Sequence, residues 1–243
     1  MKPIALIIRR ELSAYLRSPL GWVVAAVVLL MDGLLFNSFA LGSDTARKSS
    51  EILRQFFYFS SGTTMAASLF LSMRLIAEER QNGTLTLLFT SPIRDYQIVI
   101  GKFLSALIFL AALTLLTGYM PALILVHGKI TRGQIMAGYL GLLLLGSTSL
   151  SIGMLASALT KSQLVAIISG AAMLVGMIIC WLLGSITDRP LSELFTWLSI
   201  WNKHFQPFMG GLINTQDVVY YVTMTYAFLF ATTRVIESRR WSS

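Results

Sequence analysis

The chain has 243 residues, 55% of them hydrophobic and only 12% charged, with a mean hydropathy of +0.71; soluble domains carry about 25% charge, so the composition places this protein in a membrane. A net charge of +8 would suit nucleic acid, but the basic residues are scattered over the ends of apolar segments and not gathered on one polar face, and an anionic leaflet accounts for them better. The single cysteine, Cys180, lies in an apolar run and excludes an internal disulfide or a thiolate metal cluster.

Residues 2–20 place Ile4, Ile7, Ile8, Leu12, Tyr15 and Leu16 at helical spacing, with Arg9, Arg10, Ser13 and Arg17 largely opposite. That is the pattern of an amphipathic helix lying on the membrane. Residues 21–41 are then apolar for long enough to cross a bilayer as a helix. Asp32 interrupts this run near mid-depth, where an ionised side chain costs about 2.5–3.5 kcal/mol. It must face protein or water, either as a buried carboxyl satisfied by hydroxyls or an arginine, or as a group in a translocation path.

Gly42 to Gln55 reads as a polar connection, and residues 56–76 as a second span. Ser60, Thr64, Ser68 and Ser72 recur there every fourth residue, on one helix face. Small hydroxyls let helices approach closely, so the ladder marks a packing seam, or, in the sharper reading, a face lining a pathway or meeting a second subunit. Residues 98–126 form a third span in which Pro121 removes a backbone hydrogen bond and should kink or end the helix. A fourth span, 135–159, carries Ser149, Gly153 and Ser157. A fifth, 164–186, carries Ala172, Gly176, Cys180 and Gly184; both stripes read as packing seams. Thr187 to Gln216 is the longest connection yet hardly polar, and its Leu191, Leu194, Phe195, Leu198, Trp201 and Phe205 predict one or two short re-entrant or interfacial helices, ended by Pro207 and Gly210-Gly211. Residues 218–235 are the sixth span.

The stretch from Arg74 to Lys102 is a partly polar island between two long apolar segments. Glu78, Glu79 and Arg80 end one helix, and Asn82-Gly83 breaks it, since glycine tolerates the left-handed conformation of a helix exit. Thr84 is placed to cap a short helix whose Leu85, Leu87, Leu88 and Phe89 are too apolar for a loop that needs only to be soluble. Ser91-Pro92 stops it, and Pro92 at a first helical position with Asp95 in the first turn predicts the start of the next helix. A short helix with projecting apolar side chains suits docking into a groove on a partner. With the N-terminus inside, Lys2, Arg9, Arg10, Arg17, Arg74, Arg80, Arg94, Lys102, Lys161, Arg234, Arg239 and Arg240 face the cytoplasm. Only Arg47, Lys48, Arg54, Lys129, Arg132, Arg189 and Lys203 face out. The excess of inner positive charge predicts that both termini and the island are cytoplasmic.

Glu78-Glu79-Arg80 followed by Gly83-Thr84-Leu85, Leu87-Leu88, Thr90-Ser91-Pro92 and Gly101-Lys102 resembles the pattern of the ABC-2 type permeases of ATP-binding-cassette transporters, particularly their gliding-motility and copper-enzyme-maturation branch. The resemblance implies an all-α integral membrane protein. Its layout would be an interfacial helix over 1–20 followed by one six-span domain over 21–243, in the bacterial cytoplasmic (inner) membrane. It also implies that the loop after the second span is a coupling helix gripped by an ABC ATPase subunit through Glu78, Glu79, Arg80, Gly83, Thr84, Leu85, Leu87, Leu88, Phe89, Ser91 and Pro92. Two ATPase copies and a second permease copy or a paralogue would complete the assembly, a homodimer in the simplest case. The chain itself then holds no cofactor; ATP and Mg would be bound by the ATPase.

The residues agree that catalysis belongs elsewhere. A phosphate-binding loop needs Ser or Thr after its Gly-Lys, whereas Gly101-Lys102 precedes Phe103 and Gly128-Lys129 precedes Ile130. His127 and His204 lie in different loops with no second ligand at metal spacing, and no histidine stands near Ser147 to Ser151 to make an intramembrane hydrolase. A secondary transporter would need ionisable groups in two related halves, but Asp32 is the only deep carboxylate. A force-transmitting membrane scaffold that moves no solute would use the same layout as the permease.

Overall fold

A computed structural model of the chain describes residues 2–40, 49–83, 94–127 and 130–240. In chain order its helices are α1 (Lys2–Arg17), α2 (Pro19–Ala40), α3 (Ser49–Ser72), α4 (Ala77–Gln81), α5 (Asp95–Leu116), α6 (Tyr119–His127), α7 (Arg132–Leu159), α8 (Gln163–Ile186), α9 (Leu191–Leu198), α10 (Gln206–Met209) and α11 (Thr215–Arg240). Everything described is helix, turn or coil, as the patterning demands.

Among the described residues, four segments are long and apolar enough to span a bilayer: 19–38, 95–126 (α5 with α6), 132–159 and 163–186. α3 and α11 have 24 and 26 residues, but their hydroxyls and charges keep them out of that set. Length alone lets them span, at about 1.5 Å per residue; hydropathy does not single them out.

α7 is the central post, packed against α3, α5, α8, α10 and α11. Its glycines explain how. A methyl group on Gly138 would run into the Phe57 ring, one on Gly146 would lie 2.7 Å from Leu110 Cδ2 and 3.0 Å from Thr64 Cγ2, and one on Gly153 would collide with the Ser72 hydroxyl. Backbone-to-side-chain contact of this kind replaces the hydrophobic effect where lipid is the solvent. The apolar windows of α2 and α8 are only 28% and 17% buried, against 78% for α7, so α2 and α8 present apolar faces outward.

Two clusters fill the interior, one at each end of α7. Tyr15, Leu71, Val99, Phe103, Leu110, Met154 and Ile236 belong to the first; Leu53, Phe57, Leu142, Phe205, Phe208 and Tyr221 to the second. The molecule thus has two poles. The ends of α3, α7 and α11 and the starts of α5 and α8 meet α1 and α4 at one. The starts of α3, α7 and α11 meet α6, α9 and α10 at the other.

Several boundaries differ from the sequence reading. α3 starts at Ser49, inside the expected polar connection, because Leu53 and Phe56 are buried while Glu51 and Arg54 stay exposed. It ends at Ser72, four residues short of Ile76. The third span breaks at Thr117-Gly118 and not at Pro121, because the carbonyl that the proline cannot reach is that of Thr117; Met120 N–H bonds it instead at 3.1 Å. α5 begins at Asp95; Pro92, expected as its first helical residue, lies outside the described residues. Arg94 caps α5, with its N–H donating to Gln97 Oε1 at 3.2 Å. Pro207 lies within α10, and Gly211 (φ +86°) makes the exit.

Candidate functional site

Thr84 to Pro92, including the expected helix with Leu85, Leu87, Leu88 and Phe89 and the Ser91-Pro92 stop, lie outside the described residues; the two ends of this loop do not. Its first end is built on a broken helix. After α3 stops, Ser157 of α7 accepts from the N–H groups of Ile76 (3.2 Å) and Ala77 (2.9 Å) and donates to the Met73 carbonyl at 3.0 Å. One hydroxyl therefore satisfies both sides of the elbow between α3 and α4, where the backbone would otherwise leave orphan groups. α4 carries Glu78, Glu79 and Arg80 and exits through Asn82 and Gly83, whose φ is +70°, the left-handed residue that the Asn-Gly pair predicts.

All three charges on α4 are occupied inside the chain. Glu78 pairs with Arg74 at 2.9 Å, one turn back, and Arg74 also donates to Ser18 Oγ at 2.9 Å and stacks over the Tyr15 ring at 5.2 Å. Arg80 donates to the Thr160 carbonyl at 3.0 Å, at the end of α7. Glu79 enters a closed ring. Its Oε1 lies 2.9 Å from Lys102 Nζ and 3.3 Å from Arg10, and Glu11 Oε1 lies 3.1 Å from the same Nζ and 3.2 Å from the same arginine. Two cations and two carboxylates alternate around this square, with Lys102 only 3% exposed, Glu79 12% and Glu11 14%. A buried lysine needs such partners, since an uncompensated charge there costs several kcal/mol.

The ring spans three elements. Lys102 is in the second turn of α5, after the loop; Glu79 is in α4, before it; Glu11 and Arg10 are in α1. Both ends of the loop are clasped together and to the surface helix. Gly101 makes the approach possible, since a Cβ there would meet Ile7 Cγ2 of α1 at 2.9 Å. Tyr15 adds a further tie, donating to the Leu71 carbonyl at 3.2 Å, and burial pushes its hydroxyl well above the usual tyrosine range, so it stays a donor. The sequence reading took Glu78, Glu79 and Arg80 as the end of a helix and, by resemblance, as contacts of the ATPase, and did not find the ring; Gly101-Lys102, noted only as motif residues, was the available signal.

The other candidate residues lie deeper. Asp32, 3% exposed, accepts from Thr63 Oγ1 of α3 at 2.8 Å, beside a void of about 10 Å³, barely one water molecule. Ser60, Thr64, Ser68 and Ser72 are all buried; Ser60 lines the void beside Asp32, while Thr64, Ser68 and Ser72 face Gly146 and Gly153 of α7, where Ser68 Oγ reaches the Gly146 carbonyl at 3.2 Å. In the single chain the four hydroxyl residues are thus buried within the bundle.

At the opposite pole, His204 packs against α11. Its Nδ1 is 2.7 Å from Asp217 Oδ1, its ring stacks on Tyr220 at 3.8 Å, and Asn214 donates to the other Asp217 oxygen at 3.0 Å. Tyr221 donates to the Ile200 carbonyl at 2.7 Å and Trp201 to Ser61 Oγ at 2.9 Å. These bonds fix the long connection to α11 and α3.

Long apolar helices around a small-residue post, with a polar joint at one end, define a multi-pass membrane protein. Residues 5–201 match the model of the family described as ABC-2 family transporter protein. The chain belongs to that family and is an ABC transporter permease. Members are in general non-catalytic membrane subunits, and the family implies an ABC ATPase as partner. A search of curated proteins gives no match.

Proposed function

We propose that the chain is the membrane subunit of an ATP-driven exporter of the bacterial cytoplasmic membrane, with both termini and the loop ends in the cytoplasm. α3 and α11 complete six spans with the four apolar segments. ATP is hydrolysed on two ATPase subunits, which grip the loop from Glu78 to Pro92. The observation that carries this reading is the charge ring of Glu79, Lys102, Glu11 and Arg10, which joins both ends of that loop to α1. A push on the loop then moves α3, α5 and the surface helix as one body. If buried in a groove on the ATPase, Leu85, Leu88 and Phe89 would each contribute up to about 1.5–3 kcal/mol. Glu78, Glu79 and Arg80 act in this scheme by stiffening the joint.

In the purified complex, Leu88→Asp is expected to release the ATPase or uncouple its turnover while leaving the permease folded in detergent. Unchanged association and coupled turnover would overturn the docking reading.

A second copy or paralogue is part of the proposal, because α2 and α8 expose apolar faces and the void at Asp32 is too small for cargo. The same small void also favours a second reading, a scaffold that transmits force in a gliding or envelope-assembly machine and moves no solute. Disrupting the gene and comparing exported material with motility and envelope assembly separates the two.

A further inference from the structure

Under α1, where it turns into α2, the chain encloses a groove of 420 Å³ with wholly apolar walls. Leu16 forms its roof, Trp22, Ala26 and Leu29 one side, and Ile108 and Leu116 of α5 the other. It runs from the α1–α2 corner along Trp22 to Leu29 on one wall and Ile108 to Leu116 on the other, about 12 Å at helical rise. The corner is rigid: the Trp22 indole N–H donates to the Leu16 carbonyl at 2.8 Å, and Ser18 Oγ accepts from Gly21 N–H at 3.3 Å. Neither Arg9 nor Arg17 lines the groove, but Arg17 follows its roof residue Leu16 in the chain, and Arg9 stands seven residues before Leu16, a spacing that returns to nearly the same side of a helix. Both are exposed, and neither makes an ion pair among the described residues, unlike Arg10 in the ring.

The geometry points to a bound anionic phospholipid, with an acyl chain in this groove and its phosphate between Arg9 and Arg17. A chain-width slot without a polar atom takes hydrocarbon. The two unpaired guanidiniums at its cytoplasmic rim complement a headgroup of net negative charge and give a zwitterionic one no such advantage. Because the same α1 carries Glu11 and Arg10 of the ring, the lipid would be seated on the helix that the joint moves. This site stands or falls independently of the ATPase reading.

Trp22, 65% exposed and lining the groove, reports on occupancy. The full chain and its Trp22→Phe variant are reconstituted in phosphatidylcholine vesicles containing a small fraction of acyl-brominated phosphatidylglycerol or of acyl-brominated phosphatidylcholine. The quenching lost on Trp22→Phe is taken as the Trp22 signal. The expected result is quenching at least about fivefold more effective with the brominated anionic lipid. That preference should disappear in the Arg9→Gln, Arg17→Gln double variant and in Ala26→Phe, which fills the slot from an exposed position and so leaves the core intact. Equal quenching by the two lipids in the wild type would show only solvating lipid and overturn the site. Quenching by neither would show the groove covered by protein, such as a second copy, and would overturn it equally.

Discussion

Lys102 shows what one side chain can decide. It is nearly buried and faces two carboxylates within 3.1 Å, so Lys102→Met removes their buried cation and leaves Glu11 and Glu79 with only the exposed Arg10 between them. We expect a loss of about 3 kcal/mol, read as a lowered unfolding midpoint in detergent, with part of it recovered when Glu79→Gln is added. Arg10, 69% exposed, should matter far less; Arg10→Gln is expected to change stability by at most about 1 kcal/mol, and an equal loss at both positions would contradict the ring as drawn. The ring was not legible in the sequence, because Lys102 is 91 residues from Glu11 and Glu79 is 69 from Arg10, and no local spacing links them. Gly83 was legible, since a left-handed helix exit is a property of two adjacent residues. The pairing of His204 with Asp217 escaped notice for the first reason: thirteen residues and a connection of unpredicted path separate them. At Asp32, Asn keeps an acceptor for the Thr63 hydroxyl, so Asp32→Asn is expected to fold normally. Normal transport in that variant would make the residue structural, and lost transport would show that its charge is used.

Among the elements, α7 bears the tightest constraints. Its glycines meet the ladder that the four-residue spacing on α3 announced, and there the pattern was informative because a hydroxyl stripe needs a small-residue partner. What the spacing lacked was the partner's identity, which the structure supplies as Gly146 and Gly153. Adding a methyl at Gly153 should destabilise the chain by about 1–3 kcal/mol through overpacking. The Gly153→Ala, Ser72→Gly pair should recover most of that in the same unfolding assay, and failure of the pair to recover would deny that the two residues meet. Long apolar runs made α2, α7 and α8 readable to within a few residues. α3 and α11 were harder. Their ends alternate buried apolar side chains with exposed polar ones, so hydropathy alone puts their boundaries in the wrong place.

Taken whole, the molecule is a bundle with unlike ends: a charged joint at one pole and an aromatic, histidine-pinned connection at the other. Sequence patterning and the family match agree on a multi-pass permease. The orientation proposed for it has a direct test in a Cys180→Ala background. Ser50→Cys, at the aromatic pole, is expected to react with a membrane-impermeant thiol reagent in intact cells, whereas Lys161→Cys, at the charged pole, should react only after the cells are opened. The reverse pattern would put the joint out of reach of any cytoplasmic motor.

The ring has two positive and two negative members, and that has an electrical consequence. Each unbalanced elementary charge carried through the field of an energised membrane costs or releases about 2.3 kcal/mol per 100 mV. A swivel whose charges cancel does no such work, however far it tilts. The stroke proposed above should therefore draw nothing from these four charges, whether the cell is polarised or not.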